Sequence, residues 1–256
     1  MKGLIVFVLV FATNVLFVKS RGRILGGEVA DRLDYKYQAL IHIPYFEDST
    51  EHVTCGGSVI HSRWILTAAH CFDFVHINGT NFFLGLTEEN VYSYQNNATE
   101  VIVHQGYSAF SATAYDDIAL IKIPSVPYNQ YIQPVQLSNT SSLDNQLITM
   151  AGWGLINATS YPNELQYLML RVINNTECQR VFQNISAYQF CTQSELQVAC
   201  IGDSGGPALL NDGQNAKQVG LVSFGSTNCE PNSTTAYTKT APYLPWIKTV
   251  TRINRL

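Results

Sequence analysis

Ser204 sits in "VACIGDSGGPALL" (Val198 to Leu210), with an acid before it, glycines on both sides and Cys200 four residues earlier. A serine hydroxyl is a weak nucleophile until a base takes its proton. The usual base is a histidine held in one tautomer by a buried carboxylate. "GDSGG" also fits the G-x-S-x-G elbow of α/β-hydrolases, where the histidine follows the serine. All six histidines here (42, 52, 61, 70, 76 and 104) precede Ser204. That order excludes the elbow and leaves His, Asp, Ser.

His70 is the base candidate. It lies in "WILTAAHC", where Ala68 and Ala69 leave room beside it and Cys71 anchors the turn. The other five histidines read as surface or satisfied core residues. The acid candidate is Asp117 in "YDDIALIKI". It opens a strongly apolar strand, so its carboxylate is drawn inward, and a buried carboxylate needs a partner. Asp116 reads as its solvated neighbour.

The elements that must position these residues are mostly strands. "HVTCGGSVI", "RWILTAAH", "DIALIKI", "LITMAGWG" and "QVGLVSFG" are short, β-branched or aromatic, and bounded by turn formers. Helical periodicity is confined to the C-terminus. There Pro245 opens a helix and Trp246, Ile247, Val250 and Ile253 share one apolar face. "PSVPYNQYIQPVQL" (Pro124 to Leu137) carries three prolines and little periodicity, and reads as the connector between two β halves.

The chain has 256 residues. Residues 1–20 combine Lys2, an apolar run and small residues before a cleavage point after Ser20, as a secretory signal peptide does. The rival is a membrane anchor, but the run is short and broken by Thr13 and Asn14. A secreted, extracellular product agrees with six cysteines. It also agrees with N-x-Ser/Thr sequons at Asn78, Asn97, Asn139, Asn157, Asn174, Asn184 and Asn232, expected glycosylation sites. Residues 1–23 hold four of the 15 basic residues and none of the 19 acidic ones. The remainder, with 11 basic residues, is at about −8, and offers no footprint for nucleic acid. The cysteines include no C-x-x-C pair, and no acidic loop is assigned to calcium, so neither a metal nor another cofactor is expected.

Taken in order, "ILGG", "WILTAAHC", "DIAL", "GWG", "CIGDSGGP", "VSFG" and "YTK" make the chain from Ile24 onward resemble the trypsin/chymotrypsin family of serine peptidases. The resemblance implies an all-β fold of two six-stranded antiparallel barrels with the site in the cleft and a C-terminal helix. It implies His70, Asp117 and Ser204 as the catalytic residues. Oxyanion N–H donors are assigned to Gly202 and Ser204, with Gly202 free to adopt unusual dihedrals. Ser223, Phe224 and Gly225 look like the strand that pairs with an extended substrate. The resemblance also selects the disulfides Cys55–Cys71, Cys178–Cys191 and Cys200–Cys229. Residues 21–23 become an activation propeptide and 24–256 the peptidase domain. Cleavage after Arg23 frees the Ile24 amine to turn inward onto Asp203. Leu25 stands where the family more often has Val.

The residue six before the serine forms the floor of the primary pocket in such proteins. Here it is Val198, followed by Ala199, while Thr235 narrows one wall. The pocket therefore reads as apolar, chymotrypsin- or elastase-like, with Glu230 nearby as the one residue able to alter that reading. The implied function is secreted endopeptidase action through an acyl-enzyme on Ser204, after apolar or aromatic residues. The alternative is a catalytically silent homologue acting as a binding or decoy protein. The implied partners are protein or peptide substrates, an activating trypsin-like protease and protein inhibitors. The chain reads as a monomer without membrane partners.

Overall fold

The computed structural model describes residues 27–31, 33–47, 49–86, 91–108, 114–156, 159–195, 197–211, 215–225 and 230–254. The expected signal peptide and propeptide, Arg23, Ile24, Asn157 and Cys229 lie outside these residues.

Two sheets, antiparallel except for the short parallel pairing of Gln136–Leu137 with Lys217–Gln218, divide the chain near its middle. After β1 (Glu28–Val29) come β2 (Gln38–Pro44), β3 (His52–His61), β4 (Trp64–Thr67) and β5 (Asn81–Leu84). The first half then adds β6 (Tyr94–Asn97), β7 (Glu100–Val103) and β8 (Ala119–Lys122). Among the described residues its sheet runs β6-β5-β2-β3-β4-β8-β7 and curls into a half-barrel. The edge strands β6 and β7 are consecutive in the chain. At their junction the Ala98 N–H donates to the Thr80 carbonyl and the Thr99 N–H to the Lys122 carbonyl. Of the two six-stranded barrels expected, this half is thus a half-barrel of seven strands.

The second half contains β9 (Gln136–Leu137), β10 (Leu147–Gly152), β11 (Gln166–Ile173), β12 (Gln189–Gln193), β13 (Pro207–Leu210), β14 (Lys217–Gly225) and β15 (Thr234–Lys239). Its central path β11-β10-β13-β14-β15-β12 closes on itself because β11 also pairs with β12, giving a complete six-stranded barrel. Closure removes the unpaired edges that a sheet otherwise presents. The segment between β8 and β9 carries the three prolines of the connector and no strand or helix.

Each half buries its own apolar face. Ile41, Ile65, Phe82, Leu120 and Ile121 lie fully buried in the first core, and Met150, Leu168, Val219 and Tyr237 in the second. The C-terminal helix α2 (Leu244–Thr251) starts with Pro in its first turn, as its sequence predicts. Ile247 is buried in the first core, with Trp246, Val250 and Ile253 packed partly buried against it. The chain's last element thus docks on its first half.

One helix was not expected. The segment Asn175–Val181, α1, is capped by Asn174, whose side-chain oxygen accepts the Glu177 N–H at 2.9 Å. The signal was present as Asn followed three residues later by Glu. The helix is too short to show an apolar period.

Candidate active site

The ladder between β4 and β8 pairs Thr67 with Ala119. Beyond that rung, β4 runs into a 3-10 turn, Ala69–Phe72, which carries His70, while Asp117 precedes β8. The register therefore puts both residues at one end of the sheet. Asp117 is fully buried. Its Oδ1 accepts the His70 backbone N–H at 2.9 Å, and its Oδ2 lies 2.8 Å from His70 Nδ1. With Asp117 as the acceptor, Nδ1 carries the proton and Nε2 is left with its lone pair. The imidazole remains 27% exposed. Burial acts to lower its pKa, but the Asp117 charge and hydrogen bond act upward and prevail, holding it above the ordinary histidine value.

Oδ2 of Asp117 also accepts the hydroxyl of Ser223 from β14. The sequence resemblance places Ser223 only in the substrate-pairing strand. Its contact with the acid joins the two halves at the site, and its strand-end motif "VSFG" gave no hint of it. Asp116 departs from its expected place in solvent. It is half-buried, has φ of 52°, and accepts the Tyr243 hydroxyl at 2.7 Å.

Ser204 is half-buried on the turn before β13. Its carbonyl accepts the Gly56 N–H from β3 at 2.7 Å, which fixes the serine turn against the first half. Cys71 Sγ lies 3.8 Å from the same oxygen. This is a packing contact, because that sulfur is bonded to Cys55 and carries no proton. Among the described residues, no hydrogen bond joins Ser204 Oγ to His70. Catalytic contacts of this kind are commonly long before substrate arrives.

Gly202 has φ of 100°, in the region that side-chain-bearing residues avoid. Among the described residues, neither its N–H nor that of Ser204 is given to a protein acceptor. Both remain available to an oxyanion.

Asp203 is 1% exposed. Its Oδ1 accepts the Gly154 N–H at 2.8 Å and its Oδ2 the Cys200 N–H at 2.9 Å. Burial pushes its pKa up to about 6, against the pull of these two N–H groups. The "GWG" motif now has a physical reason. A Cβ on Gly152 or Gly154 would stand 2.0 or 2.2 Å from a carboxylate oxygen, so only glycine admits the acid.

Val198 is buried against Cys200 and half-buried Leu155. Thr235 pairs with Gly225 across β14 and β15, and its Oγ1 lies 3.4 Å from where a Gly225 Cβ would stand. Phe224 is half-buried against Phe182, and Glu230 is exposed. Disulfides join Cys55 to Cys71 and Cys178 to Cys191, and Cys200 is also disulfide-bonded. Cys55, Cys71 and His70 cluster closely enough to raise a metal site, but sulfurs bonded to each other are not thiolate ligands. Asn78, Asn97, Asn139, Asn184 and Asn232 are exposed, while Asn174 is half-buried at its cap.

The Trypsin family model matches residues 24–247. The chain is 34% identical over 270 residues to a collagenase of Hypoderma lineatum, covering 99% of each. It is 35% identical over 235 residues to chymotrypsin-2 of Vespa crabro, covering 88% of this chain and 98% of the wasp protein. The solved structure of HL collagenase superimposes with a TM-score of 0.81 at 32% identity, over 90% of this chain and all of that one. Geometry, order of residues and relatives converge, and the chain belongs to the trypsin family, as a serine endopeptidase.

Proposed function

We propose that the protein is a secreted endopeptidase, made as a precursor, that cleaves after apolar residues through an acyl-enzyme on Ser204. His70 Nε2 takes the Ser204 proton as Oγ bonds to the scissile carbonyl carbon. The carbonyl electron pair moves onto oxygen, where the Gly202 and Ser204 N–H groups stabilise it. As the C–N bond breaks, His70 returns the proton to the leaving amine. Water then repeats the sequence on the ester. Asp117 keeps the imidazole in the required tautomer and stabilises its charged form. The carrying observation is the hydrogen bond from His70 to the buried Asp117, together with a serine turn whose two N–H donors are unspent among the described residues.

The apolar specificity rests on Val198, buried with Leu155 and Cys200. A substrate Arg or Lys seated there would lose water without gaining a carboxylate, a penalty of several kcal/mol. Cleavage should follow Leu, Phe, Tyr or Met, the order among them set by how far Thr235 intrudes beside Gly225. Activation then requires a cut after Arg23, for which this pocket is unsuited, so a separate trypsin-like protease supplies it. The freed Ile24 amine gives the buried Asp203 its counter-charge.

Cleavage-site profiling on a mixed peptide library, before and after a trace of trypsin, tests both parts. Cleavage after apolar residues that appears only with Ile24 as the new N-terminus supports the reading. Dominant cleavage after Arg, or spontaneous conversion prevented by Ser204→Ala, refutes the pocket assignment.

A further inference from the structure

A second carboxylate stands close to the catalytic base. Asp73 caps the C-terminal end of the 3-10 turn Ala69–Phe72, and its N–H donates to the His70 carbonyl at 3.1 Å. Its side chain engages a different segment. Oδ2 of Asp73 accepts the Tyr107 hydroxyl at 2.5 Å. Tyr107 follows β7 in the stretch that leads on to Asp117, and its N–H donates to the His104 carbonyl at 3.0 Å. His104 gives its own N–H to the carbonyl of Ile118, one residue beyond Asp117. The turn that carries the base and the segment that carries its acid are thus tied twice, once between Asp117 and His70 and once between Tyr107 and Asp73.

The second tie also places a charge. Asp73 and Tyr107 are both half-buried, and Tyr107 packs against the first core. Charges in such places are screened less than charges in open water. Burial, the bond to Asp73 and the charge of Asp117 raise the Tyr107 pKa far above the ordinary tyrosine value, so the hydroxyl keeps its proton and stays a neutral donor. Against the lowering effect of burial, the charge and hydrogen bond of Asp117 raise the His70 pKa, and the Asp73 charge adds to them. Among the described residues, the charged groups that face His70 are Asp117, which also accepts Ser223 from β14, and Asp73 from its own turn. Asp116 accepts the Tyr243 hydroxyl instead, and His104 lies against the Tyr243 and Trp246 rings.

We propose that Asp73, anchored by Tyr107, is a second acid of the catalytic base, strengthening His70 as a proton acceptor and stabilising the imidazolium that forms as Ser204 bonds to the substrate. The inference rests on the reading of His70 as the base. A nearby carboxylate favours the charged form of an imidazole, and that form is the one present in the transition state. Asp73 acts through His70 and is a positioning residue, and Tyr107 positions Asp73 in turn. Without its anchor, a half-buried carboxylate is free to turn to water, where its effect on His70 is screened.

Asp73→Asn separates the charge from the tie, because the amide oxygen still accepts the Tyr107 hydroxyl. In activated protein it should move the acid limb of kcat/KM down by roughly half a pH unit. It should lower kcat about threefold, the same shift read as a rate, while KM for a small ester holds. Tyr107→Phe keeps the ring in the core and releases the carboxylate. It should move the limb down by less, and add no shift when combined with Asp73→Asn. Magnetic-resonance titration of histidine-labelled protein, with the His70 signal identified by its loss in His70→Ala, should follow the limb in each variant. A limb unmoved or raised in either single variant, or a Tyr107→Phe shift that recurs undiminished in Asp73→Asn protein, would overturn the inference and leave the pair as a strut. Activity undiminished in His70→Ala would overturn the reading of the base, and this inference with it.

Discussion

Asp117 and Asp203 are both buried carboxylates within the same site, and the protein treats them in opposite ways. Asp117 is surrounded by side chains and backbone that the two sheets deliver to it, His70 from one half and Ser223 from the other. Asp203 is met, among the described residues, by two backbone N–H groups, and burial raises its pKa to about 6. The first acid is satisfied by the fold as it stands. The second sits in a glycine-walled niche where ionisation is unfavourable, a charge imbalance that one amine would correct. The difference teaches that the fold completes the partners of Asp117 by itself, whereas among the described residues it gives Asp203 only backbone N–H groups, as the proposed activation by the Ile24 amine would require.

The largest expected effect breaks the constitutive side. Asp117→Asn should lower kcat by about 10⁴, because an amide at Oδ2 no longer enforces the required His70 tautomer. Stopped assays on activated protein would check it, and a loss under tenfold would remove Asp117 from its role. Asp203→Asn should lower kcat by roughly 10² to 10³, the size of one lost oxyanion donor, since under the proposed activation the Ile24 amine then finds no carboxylate through which to hold the Gly202 turn. Full activity in that variant would end the activation proposal.

The same residue makes a stability prediction for the precursor beginning at Arg21. Asp203 has a folded pKa above its unfolded value, so the folded state holds the proton more tightly. Its contribution is fully present below about pH 4 and is lost as pH rises through about 6. The loss is about 3 kcal/mol. Thermal melts of the precursor should therefore fall across that window, and Asp203→Asn should flatten the fall. Removing Arg21–Arg23 should flatten it too, because the amine pulls the carboxyl pKa back down. A precursor whose melting temperature does not change between pH 4 and 7 would contradict this account.

Smaller effects sharpen the comparison. The raised His70 pKa places the acid limb of kcat/KM above the ordinary histidine value of 6.5. Activity should be lost as pH falls through it, because the base must be neutral. Ser223→Ala removes one donor from Asp117 and leaves its charge less dispersed. The acid limb should move further up, and kcat should fall roughly tenfold, the size of one hydrogen bond to a charged group. An unchanged pH profile with reduced kcat would mean that Ser223 only supports substrate.

The chemistry was more legible in the sequence than the scaffold was. Ser204, His70 and Asp117 sit in short local motifs, and the positions of six histidines sufficed to choose between two chain orders. The strands read correctly, β3, β4, β8, β10 and β14, are β-branched runs with turn formers at their ends. Strand β11 alternates buried and exposed positions, yet exposed Met169 (49%) is as apolar as its buried neighbours, so the pattern is invisible in residue type. Contacts between distant segments were out of reach. Nothing in "YDDIAL" reveals that Tyr243 comes to Asp116 or Ser223 to Asp117, because both depend on how the second half seats against the first.

The bond from Tyr243 to Asp116 has a consequence for the order of biosynthesis. A ribosome releases the His70 segment long before residue 243, yet the turn that presents Asp117 is braced by Tyr243. His104, on the same surface, meets the Tyr243 and Trp246 rings edge-on at 5.3 and 5.0 Å. A nascent chain therefore lacks the brace beside its acid until residue 243 has left the ribosome. A chain truncated before Tyr243 retains every triad residue and loses the bond to Asp116. The seating of the Asp117 turn is therefore a late event of the fold, one that waits on a residue far downstream of the triad.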